Sequence, residues 1–343
     1  MTRSFFLGAV GAAAVALSAL VQPSFAETAR LPWLVGVNMA GAEFRAKVLP
    51  GRMGRDYAYP SEIDLNYFLN QGFKTIRFPF RWERLQRTLG GPFDAEEVAQ
   101  LDRVVRHITG KGGYVILDPH NYARYNRQLI GSKEVPIAAF ASFWAELAKR
   151  YSSNQRVIFG LMNEPFKIKA DDWRRAVDAA VAAIRKTGAR NLILAPGTAW
   201  TGAHSWLKPR NGISNAEAFR TLSDPGNNIA FDVHQYLDSD YSGRRDSCQG
   251  EETGEKALEG FTQWLRKYKH RALLGEFAGG DNPVCLKALD RMLKHVKANA
   301  DVWIGWTYWA AGAWWGKYQF SVHPSPKGPR PQMQLLKKHV NPS

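Results

Sequence analysis

The feature that most constrains this chain is an alternation of short apolar runs and helical patterns, repeated eight times. The runs are Leu34–Ala40, Thr75–Phe80, Tyr114–Pro119, Val157–Asn163, Asn191–Ala195, Ile229–Val233, Ala272–Glu276 and Val302–Thr307. Each is nearly continuous in apolar residues before its last positions, as a strand covered on both faces must be. Between them lie segments with apolar residues three and four apart. Ser61 is placed to cap a helix over Glu62–Asn70, and Asp94 one over Ala95–Thr109, with Val98, Leu101, Val105 and Ile108 on one face. Similar patterns cover Ile137–Tyr151, Asp171–Lys186, Glu255–Tyr268, Leu286–Ala298 and Gln332–Val340. The fifth connection is looser, with Asn215–Leu222 as its helix.

Strand then helix, eight times, predicts a single-domain (β/α)₈ barrel with right-handed crossovers. An open, doubly wound sheet would carry a glycine-rich phosphate turn after its first strand, and Gly41-Ala42-Glu43 is not one. The 343 residues suffice for such a barrel. Twelve Trp, twelve Tyr and eighteen Phe supply the apolar surface that excludes a disordered chain.

Residues 1–26 have the pattern of an export signal: Arg3, an uncharged apolar run from Phe5 to Leu20, and Ser24-Phe25-Ala26 as a small-x-small cleavage site. The run is short for a membrane span. The mature domain is therefore expected to cover 27–343, to be secreted or periplasmic, and to have no membrane contact. In an oxidising compartment the only two cysteines, Cys248 and Cys285, are expected to form a disulfide. The formal charge is +15, or +14 without Arg3. The basic residues are spread along the helices rather than gathered in a nucleic-acid motif, so solvated helix faces account for them and no nucleic-acid partner is expected.

In such a barrel, chemistry sits at the C-terminal ends of the strands. Read in order, those ends offer Asn38, Arg77, His120 with Asn121, Asn163 with Glu164, His234 with Tyr236, Glu276 and Trp309. These polar and aromatic groups suit a polyhydroxylated ligand. Glu164 and Glu276 are the only glutamates ending core strands, on strands four and seven, which face one another across the barrel mouth. Paired carboxyl groups are what cleavage of a glycosidic bond requires, one to protonate the leaving oxygen and one to attack. A separation of about 5–5.5 Å would imply retention. Arg77 is the natural cation to hold Glu276 ionised. Among aromatics near strand ends (Trp82, Trp200, Trp206, Trp309, Trp314, Trp315), Trp309 and Trp200 are the candidates to stack on sugar. No metal-ligand cluster or cofactor fingerprint is found, and none is expected to be needed.

The segments TIRFPFRW (75–82), LDPHNYARYN (117–126), GLMNEP (160–165), FDVHQYLDSDYSG (231–243) and LLGEFAGG (273–280) resemble those of glycoside hydrolase family 5, in its fungal-type endo-β-1,4-glucanase branch. The resemblance spans roughly Leu34 to Gly316. It implies Glu164 as general acid/base and Glu276 as nucleophile, with Arg77, His120, Asn163, His234, Tyr236 and Trp309 in support. It implies that Asn163 bonds the sugar 2-hydroxyl, that Tyr236 bonds the nucleophile, that Trp309 stacks under the sugar and that both histidines orient the carboxyls. The cysteine placement resembles the branch too. The sequence departs from its relatives at Phe277-Ala278-Gly279-Gly280 and Gly197-Thr198-Ala199-Trp200. The expected protein is a monomeric, retaining endo-β-1,4-glucanase acting on a β-glucan. A β-mannanase or xyloglucanase on the same barrel, or a non-catalytic polysaccharide-binding barrel, are the alternatives.

Overall fold

The computed structural model describes residues 33–340 except 211 and 327, together with residues 1, 2, 4 and 5. The expected export signal therefore lies almost wholly outside the described residues. Eight strands close into a barrel: β1 Leu34–Met39, β2 Thr75–Phe80, β3 Tyr114–Pro119, β4 Val157–Gly160, β5 Ile193–Pro196, β6 Ile229–Tyr236, β7 Ala272–Ala278 and β8 Trp303–Ala311. All neighbours in the ring are parallel, and β1 pairs with β8 to close it. The crossovers carry α1 Glu62–Leu69, α2 Ala95–Gly110, α3 Ile137–Tyr151, α4 Ala170–Lys186, α5 Asn215–Phe219, α6 Thr253–Tyr268 and α7 Pro283–Ala298, and α8 Pro331–Lys337 follows the last strand. The (β/α)₈ barrel read from the alternation is the observed fold.

The helices form for the reasons their sequences suggest. Ser61 accepts from the Asp64 amide in a capping box, and Asp94 accepts from the amides of Glu96 and Glu97. α4 buries Trp173, Ala176, Val177, Ala180, Val181 and Ile184, a stripe at helical spacing, and turns its charged residues outward. Each fully buried aliphatic side chain of this kind contributes about 1.5–3 kcal/mol.

Strand ends differ from the sequence reading in one systematic way. β6 and β8 run further than Ile229–Val233 and Val302–Thr307, because their ladders continue with β7 and β1: Tyr236 pairs with Ala278, and Ala311 with Met39. β4 stops at Gly160, short of Asn163. β5 is shifted to Ile193–Pro196. The loose fifth connection holds two single 3₁₀ turns, Ala199–Thr201 and Ala203–Ser205, before the short α5. Three features have no counterpart in the reading: a helical turn at Trp82–Leu85, a small hairpin pairing Arg124–Tyr125 with Gln128–Leu129, and a 3₁₀ turn at Ala313–Trp315. Trp82 and Trp206 are fully buried and serve packing rather than ligand contact.

Candidate active site

Register builds the floor of the site. Asn38 on β1 sits opposite Arg77 on β2, and His234 on β6 sits opposite Glu276 on β7. Arg77 does not end its strand, as the sequence suggested; it is the third residue of β2, and its side chain, 1 % exposed, points into the barrel. There it is the hub. Its Nη1 donates to Glu276 Oε1 at 2.7 Å and to Asn38 Oδ1 at 2.8 Å, and its Nη2 donates to Asn163 Oδ1 at 2.8 Å. Asp118 lies 3.0 Å from Nη1, and Asp232 lies 3.6 Å from Nε.

One buried cation thus faces three buried carboxyls, with Glu164 close by. The charges cannot all be satisfied, and the acids respond. Burial pushes Asp232 up to about 7 although Arg77 pulls the other way. Burial raises Glu276, against the pull of Arg77 and His120. Glu164 is raised well above the usual carboxylate range, first by burial and then by the charge of Glu276. Burial works against the charge of Arg77 too, but Asp118, Glu276 and Asp232 together hold it on.

Glycine shapes this floor at one position. A Cβ on Gly275 would come within 1.8 Å of Asp232 Oδ1, so the residue before Glu276 must lack one for Asp232 to fit. The Gly275 carbonyl accepts from Asn38 Nδ2 at 2.8 Å and from Thr307 Oγ1 at 2.6 Å, which ties β1, β7 and β8 together directly beneath Glu276.

The two glutamates meet across the mouth. Single oxygens of Glu164 and Glu276 and a nitrogen of His234 all lie within 4.8 Å of one another. Tyr236 donates to Glu276 Oε2 at 2.9 Å. His234 Nδ1 is 2.9 Å from Glu164 Oε1 and 3.4 Å from Glu276 Oε2. Burial, with Arg77 and His120 nearby, holds His234 well below its ordinary pKa, so its ring is neutral. Glu164 has φ of +42°, a left-handed conformation that a residue with a Cβ adopts at a cost, and it lifts the side chain off the end of β4 into the cleft. The peptide before it is held by Asn163, whose amide donates to the Pro119 carbonyl at 3.0 Å and whose carbonyl accepts from the Tyr122 amide at 3.0 Å.

A second chain of bonds runs from Arg77 through Asn163. With its oxygen taken by Arg77, the Asn163 amide donates from Nδ2 to His120 Nε2 at 3.1 Å. His120 then donates from Nδ1 to Asp118 Oδ2 at 2.8 Å. One donor, Arg77, and one acceptor, His120 Nε2, fix the amide orientation, and the amide fixes the ring tautomer. Trp309 lies flat against His120, with ring centres 5.5 Å apart and 17° between planes. It sits within β8, joined to Ala310 by a cis peptide, and its Nε1 donates to Tyr318 Oη at 3.1 Å.

The structure therefore brings together Arg77, His120, Asn163, Glu164, His234, Tyr236, Glu276 and Trp309. Asn38 is present but wholly buried, so it positions Arg77 and cannot reach a ligand. Trp200 stands apart at the rim, 52 % exposed and stacked on Phe166 at 5.3 Å, turned out by three successive left-handed residues, Ala199, Trp200 and Thr201. Beside Glu164 a cavity of about 420 Å³ opens between Trp200, His204, His234, Tyr236, Tyr241 and Arg244. The Cys248–Cys285 disulfide joins the loop after β6 to α7, with Cα atoms 5.3 Å apart. Sequence reasoning missed Asp118 and Asp232. Strand periodicity could have found both, because Asp118 precedes His120 by two residues, and Asp232 precedes His234 by two, on the same inward face.

The cellulase family, glycosyl hydrolase family 5, matches residues 37–312. The chain belongs to glycoside hydrolase family 5. Within the family it is 40 % identical to endoglucanase gh5-1 of Neurospora crassa over 291 residues, 84 % of this chain and 72 % of that one. Among solved structures it resembles XacCel5A in complex with cellopentaose, with TM-score 0.88 and 50 % identity over 90 % of this chain and 99 % of that one. It also resembles the endo-β-1,4-glucanase Xac0029 from Xanthomonas axonopodis pv. citri, with TM-score 0.88 and 44 % identity over 90 % and 98 %. This family 5 protein is a glycoside hydrolase.

Proposed function

We propose that this family 5 hydrolase is an exported endo-β-1,4-glucanase that retains anomeric configuration, with Glu276 as nucleophile and Glu164 as general acid/base. The observation that carries the proposal is the pair of carboxyls, with oxygens within 4.8 Å, in opposite environments. That spacing suits direct attack by one carboxylate and is shorter than the separation of about 6.5–9.5 Å that an inverting pair keeps. Glu276 takes two donors, Arg77 and Tyr236, which favour its ionised form. Glu164 has no cationic partner among the described residues and is raised well above the usual range, which suits an acid.

In the first step Glu276 attacks the anomeric carbon, the glycosidic C–O bond breaks, and the departing oxygen takes the proton of Glu164. In the second, Glu164 removes a proton from water, the water oxygen bonds to the anomeric carbon, and the Glu276 ester bond breaks. Tyr236 and Arg77 hold the attacking oxygens. Asn163, fixed by Arg77 and His120, faces the sugar hydroxyls. Trp309 forms a wall for the reacting sugar, and Trp200 a platform further out. The names of the relatives support a β-1,4-glucan substrate. The leader-like residues 1–26 support export, and no helix among the described residues is long and apolar enough to cross a membrane.

Purified protein on hydroxyethylcellulose should lower viscosity early, well before reducing ends accumulate, and should cut cellohexaose internally. Release of glucose alone, or turnover of mannan with none of glucan, would overturn the assignment.

A further inference from the structure

We infer that the half of the cleft beside Glu164 accepts a glucan chain bearing carboxylate groups, through the guanidinium groups of Arg244 and Arg210. The inference rests on the proposed glucanase reading and adds a substrate class to it. The cavity there adjoins Glu164, the proton donor to the leaving chain, and does not touch Glu276. It is therefore the half that receives the leaving chain.

Two adjacent arginines in its wall behave differently. Arg245 reaches Asp240, 3.1 Å away, and so neutralises the one aspartate that lines this half. Arg244 forms no ion pair among the described residues, and neither does Arg210, yet both line the cavity. The Arg244 backbone is not adrift. Buried Asp238 accepts from the amides of Gly243, Arg244 and Arg245 at 3.0, 3.1 and 3.3 Å. The Arg244 carbonyl in turn accepts from Gln319 Nε2 at 3.0 Å. The disulfide at Cys248 anchors the same loop four residues on. A loop held this firmly, presenting a guanidinium with no acid of its own, is suited to a carboxylate supplied by the substrate. A neutral glucan offers none. A β-1,4-glucan substituted with uronic acid or carboxymethyl groups does.

The test compares kcat/KM on carboxymethylcellulose with that on hydroxyethylcellulose, for the wild type and for Arg244→Gln, Arg210→Gln and Lys208→Gln, the last an exposed cation near His204 but outside the cavity lining. Each variant loses one positive charge, so a general field effect would move all three alike. We expect the ratio of the two substrates to fall about fivefold for Arg244→Gln and for Arg210→Gln, the scale of one exposed charge contact, and to hold for Lys208→Gln. Affinity electrophoresis through gels of either polymer reads the same contrast without turnover. Equal retardation changes on both polymers, or an equal shift in all three variants, would overturn the inference. A wild type that retards on both polymers but cuts neither would instead sink the glucanase reading and leave the binding contrast to be read from the gels.

Discussion

The floor of the cleft and its outer wall are built by different physics. The floor is made of inward side chains on the strands and just past their ends, and its order comes from a buried ionic network around Arg77. The wall beside Glu164 is made of loops after β5 and β6, held by backbone caps on Asp238 and by one disulfide, and it presents Arg244 and Arg210 with no ion pair among the described residues. Charge in the floor is buried, so changing it alters protonation and chemistry. Charge in the wall is solvated, so changing it alters which chain is bound. In this reading the strands hold the reaction and the loops choose the substrate.

The largest effect should come from the floor. Glu276→Ala should lose on the order of 10⁵-fold in kcat. Added azide should restore turnover and yield the α-glycosyl azide, since the small anion enters from the vacated face. A variant of normal stability that azide does not rescue, and that keeps appreciable activity, would remove Glu276 from the nucleophile's role.

Next is Arg77→Ala. It strips the cation that faces several buried carboxyls, and we expect a loss on the order of 10³-fold in kcat with about 3–5 kcal/mol of stability. The pH dependence separates the chemical role from the structural one. Glu276 must be ionised to attack, and Arg77 lowers its pKa. Without Arg77 that pKa rises, so the acid limb of kcat/KM should move to higher pH. The alkaline limb belongs to Glu164, which must carry its proton, and activity should fall as pH rises through its raised pKa. If Arg77→Ala fails to fold, Arg77→Lys keeps the charge and should show a smaller shift in the same direction. An acid limb that stays in place in both variants would break the proposed coupling.

The wall should respond more gently in function. Replacing both cysteines by Ser opens a cross-link across 37 residues, with an expected cost on the order of 3–4 kcal/mol in stability. Because the disulfide anchors the Arg244 loop and touches nothing in the floor, KM should rise a few-fold while kcat changes less than twofold. A large fall in kcat at a temperature where the variant is folded would show that wall and floor are not separable in this way.

This division also explains what could be read from sequence. Barrel strands covered on both faces leave continuous apolar runs, so all eight appeared, and the glutamates ending two of them stood out. The inward alternation at the strand ends was less visible. Asp118 and Asp232 sit inside strands whose apolar neighbours dominate the pattern, and only pairing across the barrel shows that both face Arg77. Strand lengths were misjudged at β6 and β8 because a ladder extends as far as its neighbour allows, which is a property of two segments rather than one. Asn38 seemed able to reach substrate because it lies near a strand end, yet its amide is consumed by Gly275, Thr307 and Tyr308 carbonyls. Trp200 was recognisable as an aromatic in a strand-end loop; the left-handed turn that turns it outward left no mark of glycine or asparagine. The unpaired state of Arg244 was beyond sequence altogether, since it depends on Arg245 taking Asp240.

The central claim is that the close pair Glu164 and Glu276 works by double displacement, and the first-formed product reports on it most directly. Proton NMR of cellohexaose hydrolysis, recorded before mutarotation, should show the β-anomer of the new reducing end appearing first. The α-anomer appearing first would mean a single displacement by water, and would contradict Glu276 as nucleophile.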